Sequence, residues 1–191
     1  SSAASDVYKR QILNLLEAKN LYKSFGNINA VSDISISLNV GEVIGFLGPN
    51  GAGKSTTMKI LTGFLEADSG SIEIKKIDLS KDPINAKSII GYLPEGAPSY
   101  SDMTVKSFLY FVGKMRGLKD ELLEKRLEIM LKDINLSEVQ NQIIETLSKG
   151  YKRRVGIAQA LIHDPDILIL DEPTDGLDPN QKFEMRKLIK S

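Results

Sequence analysis

Apolar positions along the chain follow two different periods. From Asp33 to Val40 they alternate with polar residues, so Ile34, Ile36, Leu38 and Val40 share one face of a predicted strand. Ile12 to Ala18, Gly70 to Lys76 and Ile89 to Leu93 predict further strands. Glu42 to Leu47 is another short apolar run, expected to be a strand that Gly48-Pro49-Asn50-Gly51 forbids from continuing. A helix is expected to start near Gly53 and run through Met58, Ile60 and Leu61 to Gly63. From Ser101 to Ile134 the spacing turns helical. Val105, Phe108, Leu109, Val112 and Met115 recur at intervals of three and four, as do Leu123, Leu127, Met130, Leu131 and Ile134. A helix from about Lys149 to Ile162 then precedes a wholly apolar strand, Ile167 to Leu170. Strand, helix and strand with a helical insert predict an α/β domain carrying a helical subdomain, without internal repeat or low-complexity linker.

The two ends fit this pattern poorly. Ser1 to Gln11 lacks an initiator Met, an apolar stretch and any periodicity, and is set aside as a non-native or disordered leader. At the other end, Phe183, Met185, Leu188 and Ile189 predict a helix cut short at Ser191, so the chain reads as a fragment incomplete at its C-terminus.

Composition narrows the function classes. The 25 Lys and Arg balance the 25 Asp and Glu, which argues against holding nucleic acid by bulk electrostatics. The absence of cysteine removes disulfides, thiolate metal sites and cysteine nucleophiles. No apolar run approaches the roughly 18 residues of a membrane span, so any membrane role is borrowed from a partner.

Two stretches carry chemistry. Gly48-Pro49-Asn50-Gly51-Ala52-Gly53-Lys54-Ser55 has the form of a phosphate loop, Gly, four residues, then Gly-Lys-Ser. Its fixed positions arise by chance in only about one chain in 150 of this length. Glycines let the backbone curl until successive N–H groups face one anion, and the following helix adds its positive end. Lys54 is then expected at the β- and γ-phosphates of a nucleoside triphosphate, with Ser55 on Mg²⁺. Ile167 to Leu170 ends in Asp171-Glu172, an acidic pair costly to bury unless a cation faces it. Asp171 is placed to hold Mg²⁺ and Glu172 to orient or deprotonate the attacking water. Taken alone, this second motif is an ordinary strand end as readily as a site.

These motifs, with Leu147-Ser148-Lys149-Gly150-Tyr151 placed so that Tyr151 stands 20 positions before Asp171, resemble the nucleotide-binding domain of an ATP-binding cassette (ABC) transporter. The resemblance covers essentially residues 12–191, and Ile90 to Val105 (IGYLPEGAPSYSDMTV) further resembles bacterial ABC-2-type, multidrug and gliding-motility exporters. It implies a P-loop NTPase core with an N-terminal antiparallel β subdomain and an α-helical subdomain at about residues 101–150. It implies ATP and Mg²⁺ as ligands, transmembrane permease subunits and a second ABC cassette as partners, no nucleic acid, and a cytoplasmic position at the inner face of the membrane.

By the same resemblance Phe25 stacks on adenine, with a core phenylalanine beside a turn as the alternative. Gly48, Asn50, Gly51, Ala52, Gly53, Lys54, Ser55 and Thr56 cradle the phosphates, Thr56 at the α-phosphate. Ser148 and Gly150 close over the γ-phosphate held by the opposite cassette, although locally they read as a serine-capped turn. Gly176-Leu177-Asp178 match the loop that pairs across the dimer. Glu95 stands where the family has a glutamine that contacts metal and water, which makes it a candidate Mg²⁺ ligand beside Ser55 and Asp171 and a candidate catalytic group beside Glu172 and Lys54. Lys149 and Tyr151 replace the usual Gly and Gln. The family's switch histidine has no counterpart before Ser191, and His163 reads as a helix-terminal residue.

Three side expectations complete the reading. The cluster Lys149, Lys152, Arg153 and Arg154 is read as a solvated helix face rather than a nucleic-acid contact. Tyr110, Phe111 and Met115 are read as core before docking surface. A chain completed at its C-terminus would hydrolyse ATP as a dimer to drive export, while the truncated chain would turn over weakly or not at all. The alternatives are a soluble ABC ATPase of the translation-factor type and a binding module without turnover.

Overall fold

The computed structural model describes residues 14–96 and 100–190, without the side chains of Leu188 and Lys190. The expected leader, Ile12 and Leu13 of the first strand, Ala97 to Ser99 of the exporter-like stretch, and Ser191 lie outside the described residues. The chain divides into two compact units, Ser1–Ile90 and Gly91–Ser191.

The first unit is built on a long hairpin of β1 (Asn14–Phe25) and β2 (Ile28–Asn39), paired antiparallel and closed by Gly26 in the left-handed region at φ 56°. β2 shows the predicted alternation, with Ile34, Ile36 and Leu38 half-buried and the residues between them exposed. Val40, expected on the same face, lies beyond the strand and is exposed. The other edge of β1 pairs with β3 (Ser69–Ile74), which pairs with the short β4 (Ile77–Asp78), giving an antiparallel sheet in the order β2-β1-β3-β4. Leu16, Ala18 and Leu21 of β1 and Ile72 and Ile74 of β3 are buried, as are Ile60 and Leu61 of α1 (Lys54–Leu61). α2 (Pro83–Ser88) starts with Asp82 accepting from the Asn85 N–H at 3.3 Å and Pro83 in the first turn, a favoured helix entry.

The run Glu42 to Leu47 departs from expectation. Among the described residues it joins no ladder, and Val43 and Leu47 are 95% and 96% exposed. Gly41, Gly45 and Gly48 punctuate it at every third or fourth position, which weakens a strand, and an extended segment without a ladder partner leaves its backbone to water.

β5 (Ile90–Leu93), whose last three residues open the second unit, pairs with β6 (Ile167–Leu170), and the Asp171 N–H continues the pairing onto the Leu93 carbonyl at 2.9 Å. The helices are α3 (Val105–Met115), α4 (Asp120–Asp133), α5 (Lys149–Leu161) and α6 (Pro179–Lys190). Thr104 caps α3, its Oγ1 accepting from the Ser107 N–H at 3.2 Å. Residues picked out by helical spacing, Val105, Phe108 and Leu109 of α3 and Leu127 and Leu131 of α4, meet Val155, Ile157 and Ala158 of α5 in one core. Each of these buried Val, Leu, Ile and Phe side chains contributes about 1.5–3 kcal/mol. Tyr110 packs against this core and donates from its hydroxyl to Asp120 at 2.7 Å, whereas Met115 is 73% exposed and Phe111 is also solvent-facing.

Candidate functional site

The glycine loop joins β2 to α1 within the first unit. Gly51 and Gly53 take φ of 81° and 80°. A Cβ on Gly53 would lie 2.1 Å from the Ala30 carbonyl oxygen, so only glycine lets the loop rest on β2. No side chain caps α1, in contrast to α2, α3 and α5. The Lys54 ammonium folds back over the loop, donating to the carbonyls of Gly48 at 2.9 Å and Pro49 at 2.8 Å. The Thr57 hydroxyl donates to the Gly53 carbonyl at 2.9 Å and ties the first helical turn to the loop. An uncapped N-terminus with a lysine anchored by two neutral carbonyls is chemically suited to an anion.

Phe25 ends β1 with half of its surface exposed, and the Lys23 ammonium lies 5.8 Å from its ring centroid. The alternative of a core phenylalanine is thereby set aside. A hollow of about 600 Å³ elsewhere in the unit is lined by Leu21, Ile60, Gly63, Asp68, Asp78 and Lys87 among others, but by no residue of the glycine loop. Backbone N–H groups on a loop need no deep cavity to hold a phosphate.

In the second unit β6 ends in the acidic pair. Asp171 is only 2% exposed, while Glu172 is exposed and adopts a left-handed backbone at φ 48°. Glu95 is exposed in the turn after β5. Burial, and then the negative charges of Asp171 and Glu95, push the Tyr92 hydroxyl up to about 12, which marks these two acids as neighbours of one phenol. Carboxylates are the hard oxygen donors that Mg²⁺ takes, so Asp171 and Glu95 fit that ion by type, although among the described residues no three acidic or histidine side chains come together as a ready metal cluster.

Arg153 corrects the sequence reading. It was grouped with Lys149, Lys152 and Arg154 as a solvated face, yet it is 8% exposed and its guanidinium bonds to five backbone carbonyls of the second unit. Burial pulls it below its ordinary arginine value, against the opposing pull of the Asp175, Asp171, Glu172 and Glu95 charges. The signal was present in the spacing. Gly150, Arg153, Ile157 and Ala160 follow at intervals of three and four, and all four are buried.

Ser148 caps α5, its Oγ accepting from the Tyr151 N–H at 3.4 Å, and Gly150 is buried behind it. With Asn135, Tyr151, Arg154 and Gln181 they line an open hollow of about 310 Å³ at the start of α5. Gln181 of α6 was not anticipated; its amide would touch a Cβ on Gly150 at 3.1 Å. Leu177 is buried and Asp178 accepts from the Gln181 N–H at 2.9 Å, so the segment Gly176 to Asp178 leads directly into α6. His163 lies in the turn after α5. The structure thus gathers Gly48, Asn50, Gly51, Ala52, Gly53, Lys54, Ser55 and Thr56 in the first unit, and Asp171, Glu172 and Glu95, and separately Ser148 and Gly150, in the second.

Comparison with known proteins accounts for this combination. Residues 31–175 match the ABC transporter family. The chain is 41% identical over 176 residues to the linearmycin resistance ATP-binding protein LnrL of Bacillus subtilis (strain 168), covering 92% of this chain and 57% of that protein. It is 37% identical over 180 residues to the lipopolysaccharide export system ATP-binding protein LptB of Haemophilus influenzae, covering 93% of this chain and 75% of LptB. A solved ATP-binding subunit of an ABC transporter superposes with a TM-score of 0.81 at 31% identity, over 92% of this chain and 73% of that one. The chain therefore spans little more than half the length of some of the relatives it matches. Over the stretch it does span, sequence and fold agree, and the chain belongs to the ABC transporter family as an ATP-binding cassette with a P-loop NTPase fold.

Proposed function

We propose that the protein carrying this chain binds Mg-ATP, pairs with a second cassette and hydrolyses the nucleotide to drive export through transmembrane permease subunits. The observation that carries this reading is the glycine loop, with its left-handed glycines, uncapped helix and back-folded Lys54.

Lys54 exchanges its two loop carbonyls for β- and γ-phosphate oxygens, and backbone N–H groups between Asn50 and Thr56, other than that of Ala52 on the Pro49 carbonyl, face the same anion, Thr56 at the α-phosphate. Phe25 offers its exposed ring to adenine. Ser55, Asp171 and Glu95 would hold Mg²⁺, whose charge neutralises the phosphate oxygens when it is bound. Glu172, exposed at the end of β6, accepts a proton from the water whose oxygen attacks the γ-phosphorus; ADP leaves as the bond to its β-phosphate oxygen breaks. Ser148, Gly150 and the N-terminus of α5 face the γ-phosphate bound by the other cassette, where Lys149 and Arg154 add positive charge. The names of LnrL and the LptB relative refer to resistance and to export, which supports an exporter and a position at the inner face of the membrane. Phe111 and Met115 on α3 present apolar surface to a permease.

The test is Glu172→Gln. ATP affinity, measured by titration calorimetry, is expected to stay near wild type while turnover falls by about 100- to 10,000-fold. A variant that binds ATP poorly but turns over each bound molecule at the normal rate removes Glu172 from the role of base.

A further inference from the structure

The guanidinium of Arg153 reaches two stretches of chain that are distant in sequence. Nη1 donates to the Gly96 carbonyl at 2.9 Å and, at the limit of a hydrogen bond, to the Pro94 carbonyl at 3.5 Å. Nη2 donates to the Asp171 carbonyl at 3.1 Å and to that of Glu172, and Nε donates to the Pro173 carbonyl at 3.3 Å. Arg153 thus spans from the Glu95 turn to the end of the acidic strand, and every one of these groups belongs to the second unit. All five acceptors are backbone carbonyls, so the cation holds main chain rather than neutralising a carboxylate by direct pairing.

We propose that Arg153 is a positioning residue, which fixes the backbone of Glu95 and of Asp171-Glu172 relative to one another and to the start of α5. Three observations converge on this role. The side chain is buried on a helix face otherwise made of Gly150, Ile157 and Ala160, and it directs its donors to this set of carbonyls. Glu172 sits in a left-handed backbone conformation that a residue with a Cβ adopts reluctantly, and its carbonyl is held from two sides, by Arg153 and by the Asp175 N–H at 3.1 Å. Arg153 also lies one turn beyond Gly150, which lines the hollow at the start of α5, so displacement of that helix start is carried directly to the acidic strand.

The fork itself is required. A guanidinium presents five N–H donors in a fixed plane and can serve several carbonyls at once, whereas a lysine ammonium offers three donors at one point. Charge alone would make Arg153→Lys a mild change; a spanning tie makes it nearly as harmful as Arg153→Met.

The tie itself is independent of turnover, while its consequence for catalysis rests on the function proposed above, and two measurements separate these. In the first, hydrogen exchange is compared between wild type, Arg153→Lys and Arg153→Met without nucleotide. Both variants are expected to exchange at least about tenfold faster at the hydrogen-bonded amides of Asp171 and Asp175, with the amides of α3 and α4 unchanged. Equal acceleration throughout the second unit, or none anywhere, overturns the proposal. In the second, both variants are expected to keep the KM for ATP while kcat falls by about 10- to 100-fold, and Lys is expected not to rescue. A raised KM with unchanged kcat, or full activity in Arg153→Lys, overturns it. A wild-type protein without ATP turnover counts against the proposed function instead, and the exchange comparison then decides the role of Arg153 alone.

Discussion

At the scale of single residues, the glycine loop depends on two different properties of glycine, and two substitutions separate them. Gly51 and Gly53 have nearly the same left-handed φ, 81° and 80°, yet a Cβ on Gly51 would meet nothing within 4 Å, whereas one on Gly53 would strike the Ala30 carbonyl. Gly51→Ala should therefore cost only the left-handed conformation, about 1–2 kcal/mol. Gly53→Ala adds a backbone clash that cannot be relieved by turning a side chain, so about 2–5 kcal/mol is expected. The loop would also have to lift from β2, and ATP affinity should fall far more than for Gly51→Ala. Thermal unfolding and nucleotide titration of the two variants check this. Equal effects would mean that contact with β2 does not set the loop's shape.

At the scale of elements, the first unit holds β4 and the approach to α2 with a half-buried carboxylate. Asp78 accepts from the Ser80 hydroxyl at 2.7 Å and its N–H at 2.9 Å, and pairs with Lys81 at 3.0 Å. The Ser80 hydroxyl first, then Lys81 and the Ser80 N–H, draw Asp78 down from 3.8 to about 2. A lowered folded value means that the ionised carboxylate stabilises the fold above the unfolded value, and that this contribution disappears as pH falls through about 2. Asp78→Asn should thus be less stable than wild type from pH 5 upward, and the difference in melting temperature should shrink between about pH 4 and pH 2. A constant gap across that range would show that the charge of Asp78 contributes nothing.

Elements of this kind differ in how far the sequence reveals them. The alternation of Ile34, Ile36 and Leu38 and the helical spacing of Val105, Phe108 and Leu109 were legible because burial on one face repeats with the period of the element. Glu42 to Leu47 was misread because apolar content alone does not supply a ladder partner. Arg153 was misread because four basic residues crowd one helix, and their number hid the face on which this one lies. Gln181 was missed because its partner, Gly150, is 31 positions away in the chain and no local pattern links them. The loop motif was legible because its chemistry is local, whereas the tie between Glu95 and Glu172 exists only once the chain has folded.

At the scale of the whole molecule, the proposed pairing of two cassettes is a matter of electrostatics. The chain carries no net charge, so no long-range repulsion keeps copies apart or draws them together. The elements that the proposed function brings face to face nevertheless both carry cations: Lys54 in the loop, and Lys149 and Arg154 in the first turns of α5. By the proposed function they repel locally without nucleotide, and the triphosphate supplies the attraction when ATP lies between them. In the Glu172→Gln protein, ATP is therefore expected to convert a monomer into a species of twice its mass in sedimentation velocity, and ADP is expected not to. Added salt should weaken this association, because it depends on charges at the rim of the contact. Ser148→Glu places a carboxylate at the start of α5, opposite the γ-phosphate, and should abolish association while leaving ATP binding by the individual cassette intact. Association that survives Ser148→Glu would mean that the copies meet through another face, and that the hollow at the start of α5 has a different use.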